Sequence, residues 1–252
     1  MSKLAEQVLL ISGASSGLGA ACTLRCLNQG ARVIGLDLAA TGIPVTTSNG
    51  NYLHAQGSVT DSTAVTQAIS QGIAKFGKLT GAICCAGILH AERVVGRDGP
   101  ANLEAFGRVL EVNVLGTFNV VRLAADAIAK NPPAETDGQR GVIVMTSSIA
   151  TYDGQIGQAA YAASKGAVAS MTLPIARELA KLGIRIMSIA PGVFETPMMQ
   201  AASDKVRQPL LDQTPFPKRF GQPDEFAAMV QHIFENPMLN GSVIRLDAAL
   251  RM

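Results

Sequence analysis

Seven short apolar runs alternate with longer helical patterns along the 252 residues, and this alternation restricts the fold more than any other feature of the chain. The runs are QVLLISG (7–13), ARVIGLD (31–37), YLHAQGSV (52–59), LTGAICCAG (79–87), GVIVMTSS (141–148), IRIMSIAPG (184–192) and SVIRLD (242–247). Several are continuously apolar, as strands of a parallel sheet are when both faces are covered. Helical patterns occupy 17–29, 61–75, 102–130, 158–182 and 222–235. Such alternation builds βαβ units. The expected fold is therefore α/β: one doubly wound, mostly parallel seven-stranded sheet with helices on both faces. The stretches 96–102 and 131–141 read as surface loops, and no linker or repeat interrupts the chain, so residues 1–252 are read as a single domain.

Composition closes off several classes. With 48% hydrophobic and 16% charged residues the chain reads as an ordinary globular protein. Its net charge is +2 with no run of Lys or Arg, so the basic face of a nucleic-acid binder is not expected. No apolar run approaches about 18 residues, so no membrane span is expected. The start, MSKLAEQVLLISGA, passes straight into a strand pattern without the features of a signal or transit segment, and a cytoplasmic location is expected. Cys22 and Cys26 fall one turn apart on a helix and read as packing; Cys84 and Cys85 are adjacent, and no CxxC pair exists. His54, His90 and His232 are scattered, so neither a metal site nor a disulfide framework is expected.

The first run leads into SGASSGLG, with Gly13, Gly17 and Gly19 spaced as GxxxGxG. Glycines permit a tight turn and close backbone approach, and the helix that follows offers free N–H groups to a pyrophosphate. The second strand ends at Asp37, eighteen residues past Gly19. An acid there accepts hydrogen bonds from the ribose hydroxyls of NAD and repels the 2′-phosphate of NADP. The glycine-rich loop contains no Lys or Arg to receive that phosphate, so NAD is the expected cofactor.

Within QAAYAASKGAV (158–168), Tyr161 and Lys165 lie at i and i+4, on one helix face. A free phenol has a pKa of about 10 and is a poor base at neutral pH. A neighbouring ammonium favours the phenolate, which could then take a hydroxyl proton or return one to a carbonyl. The small residues around the pair leave room for a cofactor and substrate.

Ser148 precedes Tyr161 by thirteen residues, and the strand at 184–192 ends in PG. Taken with SGASSGLG, the AG of CCAG and Asn113 in EVNVLGT, this constellation resembles the short-chain dehydrogenase/reductase family over essentially the whole chain. The resemblance implies that Tyr161 is the acid/base, that Lys165 lowers its pKa and hydrogen-bonds the nicotinamide ribose, that Ser148 holds the substrate oxygen, and that Asn113 holds a water in a relay with Lys165. It implies that the main chain at Ser16 and Leu18 meets the pyrophosphate. Val59, Cys85, Ala86 and Gly87 would line the adenosine side, and Pro191, Gly192, Phe194 and Thr196 would cover the nicotinamide. Three departures stand out: Ser12 replaces the usual Thr, CCAG replaces NNAG, and Ser58 replaces the Asp that accepts from the adenine amino group. Ser58 is shorter, which predicts a weaker contact.

Within the family, VLEVNVLGTFNVVRLAA, GQIGQAAYAASKG and PFPKRFGQPDEFA, among other stretches, resemble the type II 3-hydroxyacyl-CoA dehydrogenase branch. That likeness implies a fatty 3-hydroxyacyl-CoA substrate, a homotetramer, and Gln155 and Gln158 near the substrate mouth. Residues 197–220 would form a substrate lid. Met198, Met199, Leu210, Leu211 and Phe216 would supply an apolar surface, and Lys205, Arg207, Lys218, Arg219, Arg93 or Arg97 charge for the CoA phosphates. A steroid or other small secondary alcohol is the alternative substrate, and a non-catalytic NAD-binding scaffold the alternative role.

Overall fold

A computed structural model describes residues 3–40, 43 and 50–252. The elements follow in chain order as β1 (Val8–Ser12), α1 (Gly17–Asn28), β2 (Arg32–Asp37), β3 (Tyr52–Gln56), α2 (Ser62–Phe76) and β4 (Gly81–Cys84). A short hairpin, β5 (Val95–Gly96) and β6 (Gly99–Pro100), comes next, then α3 (Leu103–Leu110) and α4 (Thr117–Ala129). The second half contains β7 (Gly141–Thr146), α5 (Ala159–Leu179), β8 (Ile184–Pro191), α6 (Pro197–Gln200), α7 (Asp204–Asp212), α8 (Pro223–Glu235) and β9 (Val243–Leu246). Seven strands form one parallel sheet in the order β3-β2-β1-β4-β7-β8-β9. The sheet is fully parallel, as the continuously apolar runs require.

Its two faces are covered differently. Val65 of α2, Val120 and Ile128 of α4, and Val168 and Ile175 of α5 pack on one face. Cys22 and Cys26 of α1, with Phe226, Val230 and Ile233 of α8, pack on the other. The two helix cysteines are thus core residues, as their spacing indicates. The chain winds outward from β1 to β3 and then crosses back to β4 beside β1. The helices that follow β1 and β4 therefore leave on opposite faces, opening a crevice beyond the carboxyl ends of these strands.

Four expectations need correction. The strands expected at 52–59 and 79–87 end early, at Gln56 and Cys84. The first stops because Asp61 caps α2, its carboxylate accepting from the amides of Thr63 and Ala64. The helix expected at 102–130 is not uniform: Glu111–Gly116 is a π-turn between α3 and α4. The Asn113 side chain, inside that turn, pairs with both the N–H and the C=O of Ile88, which widens the helix locally. By length and composition Leu103–Ala129 is also apolar enough to cross a membrane, contrary to the reading of short runs, but 61% of its most apolar window is buried inside the protein. The loop expected at 96–102 carries the exposed β5–β6 hairpin.

Candidate active site

The crevice is a cavity of about 460 Å³, lined by every catalytic, cofactor-binding and substrate-mouth residue named from sequence except Asn113. The glycine-rich turn forms its floor. Gly13 has φ 67°, and a Cβ placed there would stand 2.8 Å from the Ala86 amide nitrogen. A Cβ at Gly19 would collide with the Gly13 carbonyl. Both glycines are required by close backbone packing, which keeps the turn flush with the first turn of α1. Ser16 precedes α1 without a side-chain cap, and no acid lies in its first turn. The helix N-terminus is left available to an anion.

At the end of β2, the Asp37 carboxylate accepts from the Ser15 amide at 2.9 Å and the Ala39 amide at 3.0 Å. These bonds aim it into the cavity while leaving lone pairs for a ligand hydroxyl. Ser58 turns partly away: its Oγ shares a 2.8 Å hydrogen bond with Thr60 Oγ1. Ser12, which stands in place of Thr, keeps the hydroxyl function, accepting from the Ala86 amide at 3.4 Å. Cys85 takes over the bracing of the missing amide in a weaker form, receiving the Thr146 hydroxyl at 3.7 Å. A thiol hydrogen bond from Cys22 holds the Cys85 pKa below its ordinary value against the effect of burial.

The fit to a dinucleotide is chemical as well as steric. Close-packed glycines, an uncapped helix start and an inward carboxylate occur in the order that pyrophosphate and ribose require. Pro191, Gly192, Phe194 and Thr196 also line the cavity, with Thr196 beside Gly17 of the glycine-rich turn.

Tyr161 and Lys165 both come from α5, one turn apart. Burial pushes the Tyr161 phenol above its ordinary value, while a hydrogen bond with Ser148 pulls it down. Lys165 is 5% exposed, and its ammonium donates to the Thr146 carbonyl at 2.8 Å. Its Nζ stands 5.7 Å from the Tyr161 ring centroid. Ser148 hydrogen-bonds the phenol and favours the phenolate, while the Lys165 ammonium, with one donor on Thr146, stands over the same ring. Burial lowers the Lys165 pKa to about 8, with Cys85 and Cys84 opposing the shift. The Asn113 side chain does not reach the cavity. Its amide donates to Ile88 O at 2.9 Å and Ser164 Oγ at 3.0 Å and accepts from Ile88 N at 2.8 Å. It braces the wall behind Lys165.

Gln155 and Gln158 line the cavity, where Gln158 donates to Gln155 at 3.2 Å and keeps a buried, unpartnered Oε1. Of the lid residues, Met199 and Leu210 line the cavity, whereas Phe216 is 83% exposed. The side chain of Met198 lies outside what the structure describes. Three of the six basic candidates are engaged within the protein. Arg207 pairs with Glu195 at 2.8 Å, Arg219 with Glu225 at 2.7 Å, and Lys218 donates to the Asp212 carbonyl. Sequence reasoning missed Arg108, Val112 and Met252, which also line the cavity. Val112 adjoins Asn113 and was within reach of the motif; Met252 carries no local signal.

Comparison with known proteins places this geometry. A profile described as short chain dehydrogenase matches residues 7–207. The chain is 48% identical to a Homo sapiens protein named 3-hydroxyacyl-CoA dehydrogenase type-2, over 97% of this chain and 95% of that one. It is 49% identical to a Drosophila melanogaster protein of the same name, over 97% of each. The crystal structure of 3-hydroxyacyl-CoA dehydrogenase type-2 from Mycobacterium avium superposes with a TM-score of 0.91 at 38% identity, over 98% of this chain and 96% of that one.

Proposed function

Since the chain belongs to the short-chain dehydrogenase family, and is thereby an oxidoreductase interconverting a secondary alcohol and a ketone, we propose that it uses NAD and acts on 3-hydroxyacyl-CoA thioesters. The observation that carries the cofactor choice is Asp37, an inward carboxylate fixed by two backbone amides with no cation in the facing glycine-rich loop. A 2′-phosphate would meet that charge directly. The substrate choice draws on the names of the relatives and on the apolar Met199 and Leu210 near Gln155 and Gln158.

The residues divide the work as follows. The Ser148 hydroxyl, beside Tyr161, holds the substrate oxygen within reach of the phenol. Tyr161 takes the alcohol proton during oxidation and returns it to the ketone during reduction. Lys165, charged below its pKa of about 8, turns a donor toward the cofactor ribose. Bound NAD supplies the hydride acceptor. Phe194, 7% exposed, helps keep water from the reacting face.

Leu115 and Phe118, 62% and 45% exposed, and Leu173, 46% exposed on α5, supply apolar surface for a homotetramer, which light scattering tests directly. Lys205, Arg93 and Arg97 are the basic candidates whose side chains make neither an ion pair nor a hydrogen bond among the described residues, and at least one is assigned to the CoA phosphates. The enzyme is expected to reduce acetoacetyl-CoA with a higher kcat/KM than a short acetoacetyl thioester lacking the nucleotide, and salt is expected to narrow the gap. Equal rates at low salt would overturn the CoA assignment in favour of a smaller secondary alcohol.

A further inference from the structure

The segment that follows β9 turns back onto the cavity and is pinned there. Ala248 and Ala249 both adopt left-handed backbone, with φ 51° and 61°. Two consecutive residues with a Cβ rarely do so, and such a turn persists only where its surroundings over-determine it. Here they do. The Asp247 carboxylate accepts from the Ala249 amide at 3.1 Å, and the Asp247 carbonyl accepts from the Leu250 amide at 2.9 Å. Arg245 is the hub. Its Nε meets Asp247 at 2.6 Å, and its Nη2 meets Asp153 at 2.5 Å and the Leu250 carbonyl at 3.1 Å. Its guanidinium lies 5.1 Å over the Tyr152 ring. Arg251 adds a second contact to Asp247 at 3.1 Å. Leu250 is 1% exposed, and Met252 reaches the cavity lining.

The anchors show which end of the cavity this is. The Gly192 amide donates to Leu246 O at 2.9 Å, and a Cβ at Gly192 would stand 2.9 Å from the Asp247 Cα. The tail is therefore packed against the loop assigned to cover the nicotinamide. Asp153 lies five residues past Ser148. Arg245 thus ties the tail to the loop that follows Ser148, and the Gly192–Leu246 bond ties the end of β9 to the loop after β8. Met199 and Leu210 line the same cavity.

We infer that residues 247–252 form a fixed end wall of the substrate chamber, in which Met252 limits the length of apolar tail accepted and Arg245 is the positioning residue. The tail chemistry rests on the acyl-CoA reading; the wall does not.

The test measures kcat/KM with NADH for acetoacetyl-CoA, 3-ketooctanoyl-CoA and 3-ketododecanoyl-CoA. Turnover of these thioesters by the unmodified protein tests the substrate reading; their ratios test the wall. Met252→Ala is expected to raise the long-to-short ratio by about tenfold, the scale at which apolar pockets resolve small changes in length. Met252→Trp is expected to lower it. Arg245→Ala is expected to flatten the profile through KM, and Arg245→Lys to restore part of it. A profile unchanged in both Met252 variants overturns the inference.

If no thioester reacts, the wall is still testable, because the chain contains no Trp. The indole of Met252→Trp is expected to be shielded from acrylamide relative to that of Met238→Trp, at a site 87% exposed. Adding Arg245→Ala should remove the shielding. Equal quenching of the two single variants overturns the inference.

Discussion

Replacing Lys165 with Met is expected to abolish turnover while making the cofactor-free protein more stable. The ammonium is buried, and its pKa falls from 10.5 to about 8. A shift of that size corresponds to about 3 kcal/mol of destabilisation carried by the charged form. Against this, Met loses the hydrogen bond to the Thr146 carbonyl, worth about 1 kcal/mol, and the contact with the Tyr161 ring, worth about 0.5–1 kcal/mol. The net gain is about 1–1.5 kcal/mol, or about 2–6 °C in Tm for a chain of this size. The sign of the pH dependence follows from the direction of the shift. Below pH about 8 both folded and unfolded states hold the proton, and the parent bears the full cost. Between about 8 and 10.5 the folded state has lost it and the unfolded state has not, so the parent gains stability as pH rises. The advantage of Lys165→Met should therefore be largest at pH 7 and shrink through that window. Thermal melts of both proteins at fixed concentration, at neutral and alkaline pH, decide it. A variant less stable than the parent at pH 7, or a difference independent of pH, would refute the reasoning.

Other residues around the cavity give sharper local tests. Asp37→Ala should narrow the preference for NAD over NADP by at least about tenfold, because a charged hydrogen bond of about 1.5–3 kcal/mol is lost; kcat/KM with each cofactor measures it. Ser58→Asp should tighten NAD binding by about 1 kcal/mol if the carboxylate reaches the adenine amino group rather than Thr60, and calorimetry reads the change. Gly13→Ala should cost about 1–3 kcal/mol in thermal stability, since φ 67° and a backbone nitrogen 2.8 Å from the new Cβ both oppose it.

The sheet was legible because seven apolar runs with interleaved helical periods have one economical arrangement, and the motif residues lie at strand ends, where that arrangement converges. Legibility failed where a long-range contact decides the local outcome. The π-turn at Glu111–Gly116 exists because Asn113 pairs with Ile88, which helical periodicity cannot register. The i, i+4 spacing brings Lys165 to the Tyr161 ring, but it could not show that the Thr146 carbonyl also accepts from the ammonium. Arg207 and Arg219 looked like free charge until the fold brought Glu195 and Glu225 to them. Met252 reaches the cavity only through the strapped turn after β9.

The claim that Tyr161 carries the proton is tested most directly by Tyr161→Phe, which removes the hydroxyl and little volume. NADH titration by fluorescence, beside steady-state reduction of acetoacetyl-CoA, separates binding from chemistry. Binding should stay within about threefold of the parent while kcat falls by at least about two orders of magnitude, the scale of a positioned acid/base. Near-normal kcat with intact binding would contradict the account and assign the proton to another group.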